Sequence, residues 1–321
     1  MPQSPDQEIV NTFDFPQGSV GEHTSSPSPQ PSLYTLTDSI REQSVHWEYG
    51  LPVSSLSEIY KFPVNEEEHR RQDKGHNLFK ILAGEYVPPL YEVLADDHDP
   101  LNPKTCLDLG CGTGTWILEV ASAFPHVYCT AVDLVPLPAR TPIPSNFRFE
   151  IDDISLGLEH FAGQFDVVHV RMLSSGVRDY YRLIDDTALA LRSRGLAEFC
   201  EWDWRFFDIE KRALVPTMAE IWGSIVQPEG WNRLGTARSA RTPNKRGSHR
   251  DAGPLLHLWI SEHPSFEDIV YREIWIPFGN WMYNEDLLRH PSFRDLSADD
   301  LETLRQAGKV MAEGFPVGGF R

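Results

Sequence analysis

Short apolar runs alternate with longer mixed stretches along the chain, and from about Leu101 the alternation becomes regular. Thr105-Cys106-Leu107-Asp108-Leu109 is followed by Gly110-Cys111-Gly112-Thr113-Gly114, and then by Ile117-Leu118-Glu119-Val120-Ala121. A short apolar run bounded by glycines reads as a buried strand, and the periodic stretch after it as the opening of a helix. Val127 to Val132, Asn146 to Ile151 and Phe165 to Val170 repeat the strand pattern. Asp179 to Arg194 reads as a helix and Gly195 to Glu201 as a fifth strand. Strands separated by helical segments predict an α/β fold with a parallel, Rossmann-like sheet. Beyond it, Ala213 to Val226 and Leu255 to Glu262 read as helices, Phe266 to Ile276 alternates as a sixth strand should, and Leu296 to Leu304 carries a capped helix start.

Ahead of the core the pattern becomes helical from Ser57. Glu66, Glu67 and Glu68 suit a first turn, where the helix dipole favours acids, and Leu78, Phe79 and Leu82 recur at helical spacing. The expectation is a helix pair, either a cover over the glycine loop or a solvated acidic face. Residues 1–40 are rich in Pro, Ser, Thr and Gln and offer too little apolar surface to offset ordering, so they read as a disordered tail.

The glycine loop carries the chemistry. Its spacing is G-x-G-x-G, which is neither the dinucleotide fingerprint nor a phosphate loop ending in Gly-Lys-Ser/Thr. Asp108 ahead of it would repel a pyrophosphate and suits a ligand bearing an amine and a positive charge, as S-adenosyl-L-methionine does. About twenty residues past the last glycine the second strand ends at Asp133, where a carboxylate can accept two ribose hydroxyls. After the third strand, Asp153 and Ile154 stand where an acid and a backbone N–H can meet adenine. Each acid taken alone has a plain alternative as a helix cap or turn residue.

With these residues in place the chain resembles class I S-adenosylmethionine-dependent methyltransferases, and within them the fungal LaeA-like group, related to small-acid methyltransferases. The resemblance is carried by Phe62 to Asp73, His76 to Phe79, Asp108 to Trp116, Phe149 to Asp153, Phe165 to Leu173 and Ile276 to Trp281. It implies that Asp108 orients the methionine amino group, that Gly110, Gly112 and Gly114 bring backbone against the ligand, that Asp133 binds ribose, and that Asp153 with Ile154 meets adenine. Val170 and Arg171, at the end of the fourth strand, would face the methionine part and the methyl acceptor. Such folds return with a seventh, antiparallel strand. Here only Gly314 to Arg321 follows the last helix start, so that strand is expected short or missing. The division is then 1–40 tail, 41–100 helical cover, 101–208 cofactor core, and 209–321 the remainder, with substrate-side helices, a basic loop and strand six.

The acceptor side holds less signal. His76, Arg171 and Glu201 are the substrate-side candidates, though Glu201 and Asp203 read equally as structural caps. His169 reads as a core histidine or a base, and Trp202 and Trp204 as packing or pocket wall. The asparagine- or aspartate-proline run of nucleic-acid amine methylases is missing after strand four. A net charge of −18 disfavours direct nucleic-acid and anionic-membrane partners. The basic stretch from 235 to 253 reads as a solvated loop, an import signal or a flap over an acidic substrate. Four scattered cysteines and their spacing to the histidines give neither a disulfide framework nor a zinc site. The opening is polar, without a signal-peptide pattern or a membrane-length apolar run. The expectation is a cytoplasmic methyltransferase of fungal secondary metabolism, acting at oxygen on a small, largely apolar metabolite. The alternative is a regulatory protein that binds the cofactor and works through protein partners, with nuclear residence.

Overall fold

The computed structural model describes residues 44–48, 50–138, 143–203, 205, 252–275, 297–299, 301–302 and 305–306. Elements are labelled here in chain order: β1 (Val45–Glu48), β2 (Leu51–Ser54), α1 (Glu66–Ala83), α2 (Leu90–Val93), β3 (Thr105–Leu109), α3 (Thr115–Ala123), β4 (Tyr128–Asp133), β5 (Phe147–Ile151), β6 (Phe165–Arg171), α4 (Tyr180–Ala190), β7 (Leu191–Cys200) and α5 (Ala252–Ser261). Strands β3 to β7 form one sheet in the order β5-β4-β3-β6-β7, every pair parallel. Numbered along the chain this is 3-2-1-4-5, the doubly wound order whose reversal leaves a crevice beyond the carboxyl end of its first strand. That strand is β3, and the glycine loop leaves from its end.

Burial on both faces explains why these strands are apolar rather than alternating. Leu107, Leu109, Val132, Val168 and Val170 pack with α4 and α5 on one face. Cys106, Cys129, Ala131 and Val167 pack with Trp116, Ile117 and Val120 of α3 on the other. Period two then puts Asp108 and His169 on the α3 face, and the register pairs them across β3 and β6. Asn146 locks the β4–β5 corner, its side-chain amide donating to the carbonyls of Ala121, Phe124 and Val127.

Three differences from the sequence expectation have physical causes. The region from 44 to 65 is not helical. Residues Val45–Ser54 form an antiparallel hairpin, and the Val64 N–H donates to the Pro52 carbonyl. Pro52 and Pro63 exclude helix at their preceding residues, so the helical pattern starts only at Asn65, whose side chain caps Glu68 N–H. One long helix and the single turn α2 stand where a helix pair was expected. Next, the helix from Asp179 ends at Ala190 rather than Arg194. Leu191 already pairs with Phe165, and Arg194 takes a φ of 68°, so tertiary pairing overrides helix propensity and β7 starts four residues early. Finally, Phe266 to Trp275 contains no strand. Its alternation finds no ladder partner among the described residues, and Val270 stays 88% exposed.

The expected helix at 255–262 is α5, shifted three residues towards the N-terminus at its start. The 1–40 tail, the helix at 213–226, the basic loop, Trp204, the segment 276–281 and the closing 314–321 lie outside the described residues. Among the described residues no helix is long and apolar enough to cross a membrane.

Candidate cofactor and acceptor site

The loop after β3 is left-handed at all three glycines, with φ of 63°, 58° and 71° at Gly110, Gly112 and Gly114. Consecutive returns to that region require glycine, and they bring bare backbone to the crevice. Asp133, at the tip of β4, fixes the loop from one flank. Its Oδ2 accepts the Gly112 N–H at 2.8 Å and its Oδ1 accepts the Val135 N–H at 3.1 Å. From the opposite side Asp73 of α1 accepts the hydroxyls of Thr113 and Thr115, both at 2.7 Å.

Asp108 lies 3% exposed beneath the loop, and its carboxylate receives no hydrogen bond among the described residues. Burial pushes its pKa up to about 6, against the opposing pull of His169 and Arg171. Asp133 is likewise pushed up to about 6, chiefly by burial, although Gly112 and Val135 donate to it. A buried carboxylate without a donor suits a cationic, hydrogen-bonding group, and the cradle of bare glycine backbone suits a close-lying ligand. Both fit the ammonium-bearing cofactor. Asp153 caps a short turn through Ser155, accepting its N–H and its hydroxyl with Oδ1, and Ile154 is buried in the core behind it. Val170 is fully buried on the α4 face, its side chain packed in the core.

At the end of β6 a second cluster forms. An Arg171 N–H donates to His76 Nδ1 at 3.2 Å, which leaves the other ring nitrogen, Nε2, to donate to Glu119 Oε2 at 3.1 Å. Lys80 also donates to Glu119, at 2.8 Å. His76 is 3% exposed, and burial followed by the Arg171 charge lowers its pKa. It is therefore a neutral imidazole in a fixed tautomer. The Arg171 guanidinium lies 5.2 Å over the Phe79 ring, and Phe79 stands 5.7 Å from Trp202. No carboxylate pairs with Arg171 among the described residues.

The remaining candidates sit elsewhere. Glu201 Oε1 accepts the N–H groups of Leu173 and Ser174, so this carboxylate braces the loop after β6, and burial pushes its pKa up to about 7. Asp203 is taken up by Arg205 in a bidentate pair, Nε donating to Oδ1 and Nη2 to Oδ2. His169 stacks on Trp116, ring centroids 3.7 Å apart, with neither ring nitrogen hydrogen-bonded. No cluster of His, Cys, Asp or Glu suited to a metal occurs among the described residues, and the four cysteines are unbridged. The sequence reading missed Gln72, Asp73, Lys80 and Glu119. The signal for the first three was their spacing, since residues 72, 73, 76 and 80 share one helical face, whereas nothing local marks Glu119.

The methyltransferase domain family model matches residues 79–246. The chain belongs to this family. Within it the affinity is to the LaeA-like group of class I, S-adenosylmethionine-dependent methyltransferases, and the cofactor is S-adenosyl-L-methionine. The chain is 42% identical over 232 residues to the secondary metabolism regulator laeA of Coprinopsis cinerea, covering 72% of this chain and 56% of that protein's length. It is 30% identical to methyltransferase str2 of Strobilurus tenacellus, over 68% of this chain and 70% of that one. With methyltransferase pytC of Aspergillus terreus it shares 28% identity, over 69% and 62%. A solved structure, the antibiotic-resistance methyltransferase Kmr, aligns with 43% of this chain and 76% of its own at 20% identity and a TM-score of 0.26. The fold assignment rests on the strand order itself.

Proposed function

We propose that the protein is a methyltransferase acting in the cytoplasm on a small, largely apolar metabolite, with oxygen as the atom methylated. The observation that carries this reading is the Arg171–His76–Glu119 chain beside an aromatic wall at the crevice mouth. Asp108, the Gly110–Gly114 backbone, Asp133 and the Asp153–Ile154 turn would hold the cofactor, which when bound supplies an activated methyl group. The protein's own contribution is positioning and proton management. Phe79 and Trp202 offer an apolar surface to the acceptor. Arg171 stabilises negative charge as it develops on the acceptor oxygen. His76 Nδ1, whose lone pair the Arg171 N–H occupies, takes the hydroxyl proton once the acceptor oxygen has drawn that N–H to itself, and Glu119 on the other ring nitrogen stabilises the imidazolium that results.

A second reading follows from the regulator of Coprinopsis cinerea, to which the chain is 42% identical. In it the same cofactor site serves a regulatory protein that acts through protein partners on gene expression, in the nucleus. One experiment separates the two. The chain is incubated with methyl-labelled S-adenosylmethionine and a fractionated fungal extract. Label recovered in a small, organic-soluble product supports the enzyme acting on a metabolite. Label confined to protein, or cofactor binding without any transfer, supports the regulator.

A further inference from the structure

We propose that Gln72, on the helix ahead of the core, binds the cofactor directly, its Oε1 accepting a hydrogen bond from the α-ammonium of the methionine part. The proposal rests on the cofactor assignment above and adds a residue to it. Gln72 Nε2 donates to Glu68 Oε1 at 3.2 Å and points to the Tyr60 hydroxyl at 3.5 Å. A carboxylate only accepts, so this pairing fixes which way round the amide lies. Glu68 is itself held by two hydrogen bonds from Arg71, at 2.7 and 2.6 Å, and it is buried. The frame is rigid, and it aims Oε1 at the glycine loop. A Cβ placed on Gly112 would stand 2.5 Å from that oxygen.

Oε1 is buried and has no hydrogen-bond partner among the described residues. Leaving a buried acceptor unpaired is costly, and such atoms in native folds mark a missing donor. An amide oxygen over the bare backbone of a ligand loop calls for a donor carried by the ligand.

The flank decides which donor. One turn beyond Gln72, His76 meets Arg171 at the end of β6, and the Tyr60 ring packs against Gly176 in the loop after that strand. Gln72 therefore reaches Gly112 from the β6 side. Asp133 reaches the same residue from the β4 side, where the ribose belongs. The amino-acid end of the cofactor lies towards β6, above the donor-less carboxylate of Asp108. There its ammonium is the available donor, and Asp108 with Gln72 Oε1 supplies two acceptors for its three N–H bonds.

The test is calorimetric titration of the full chain with two ligands. S-adenosylhomocysteine carries the amino-acid end, and 5′-methylthioadenosine lacks it. Gln72→Leu should bind S-adenosylhomocysteine about tenfold or more weakly, as expected for a lost charge-assisted bond, and bind methylthioadenosine as the parent does. Gln72→Asn keeps a polar side chain in the frame but withdraws the oxygen, and should show the same selective loss if the leucine variant does not fold. Unchanged affinity for S-adenosylhomocysteine in both variants would overturn the proposal alone. An equal loss for both ligands would also overturn it, because it would assign Gln72 to loop support or to the ribose. A parent protein that binds neither ligand would overturn the cofactor assignment as well.

Discussion

The two flanks of the glycine loop are built on different plans. On the β4 side a single carboxylate, Asp133, reaches backbone N–H groups two and twenty-one residues away, and the neighbouring acids act on their own turns. On the β6 side the contacts join side chains from distant segments: Asp73 to Thr113, His76 to Glu119, and His76 to Arg171 across ninety-five residues. A flank held by backbone donors keeps its shape whatever side chains the loop carries. One made of side-chain pairs can be retuned residue by residue. The comparison predicts that lesions in the acids and the amide around the glycine loop affect binding, and that lesions in the Arg171–His76 cluster at the end of β6 affect transfer.

The largest expected effect tests the transfer half. Arg171→Ala removes the charge that faces the developing oxyanion, so turnover on an identified acceptor should fall by about 10²–10³. S-adenosylhomocysteine affinity should stay within about threefold. No carboxylate is left unpaired by the change among the described residues, so the thermal midpoint should also hold. A variant that loses affinity and turnover together would erase the distinction between the flanks.

Asp108→Asn comes next. It removes a carboxylate that has no other donor, and should weaken S-adenosylhomocysteine by about 10–100-fold, the range of a lost charge-assisted bond, without loss of stability. Asp133→Ala should weaken it at least tenfold, on the same scale per bond. Because Asp133 also holds Gly112 and Val135, it should in addition loosen the loop, visible as faster amide exchange at those two residues. Unchanged affinity in this variant would mean that the β4 flank is scaffold only.

pH sharpens the same point. Asp108 has its pKa pushed up to about 6, above that of an exposed carboxylate, by burial. The folded state without ligand thus holds protons more tightly than the unfolded chain, and this group's contribution to stability falls as pH rises from about 4 to 6. A cationic ligand favours the ionised form, so affinity should run the other way and drop as pH falls through about 6. Calorimetry across that range in the parent and in Asp108→Asn checks it, with the variant expected to lose the Asp108 part of the dependence. The smallest effect is expected from removing residues 1–40, whose composition gives them nothing to pack with. Thermal midpoint and affinity should not move.

The β4 flank was legible in the sequence because each of its acids closes a strand that the hydrophobic pattern already marks. Asp133 and Asp153 need only the order of strands to come together, and Asp108, within β3, was legible from the same pattern. Arg171 and His76 were legible as candidates, but their contact was not, because nothing local in a helix records which strand end it will meet. Glu119 was read only as part of the helix after the glycine loop, because its partners His76 and Lys80 lie about forty residues away on α1. The proposed strand at 266–276 failed for a related reason. Alternation reports that one face is apolar, and it cannot report whether a neighbouring edge supplies the ladder. The helix beyond Ala190 shows the opposite failure, where the neighbour β6 claimed residues whose own preference was helical.

Helix α1 imposes a constraint on how this chain can change. Gln72 and Asp73 address the glycine loop, while His76 and Lys80 address Glu119, all from one helix (Glu66–Ala83). Adding or deleting one residue between 73 and 76 would turn one pair against the other by about 100°, the angle per residue of an α-helix. Length variation should therefore be tolerated in the turn between the hairpin and Asn65 and refused within those few positions. The spacing of a single helix acts as a ruler between the loop and the end of β6, and neither can drift without the other.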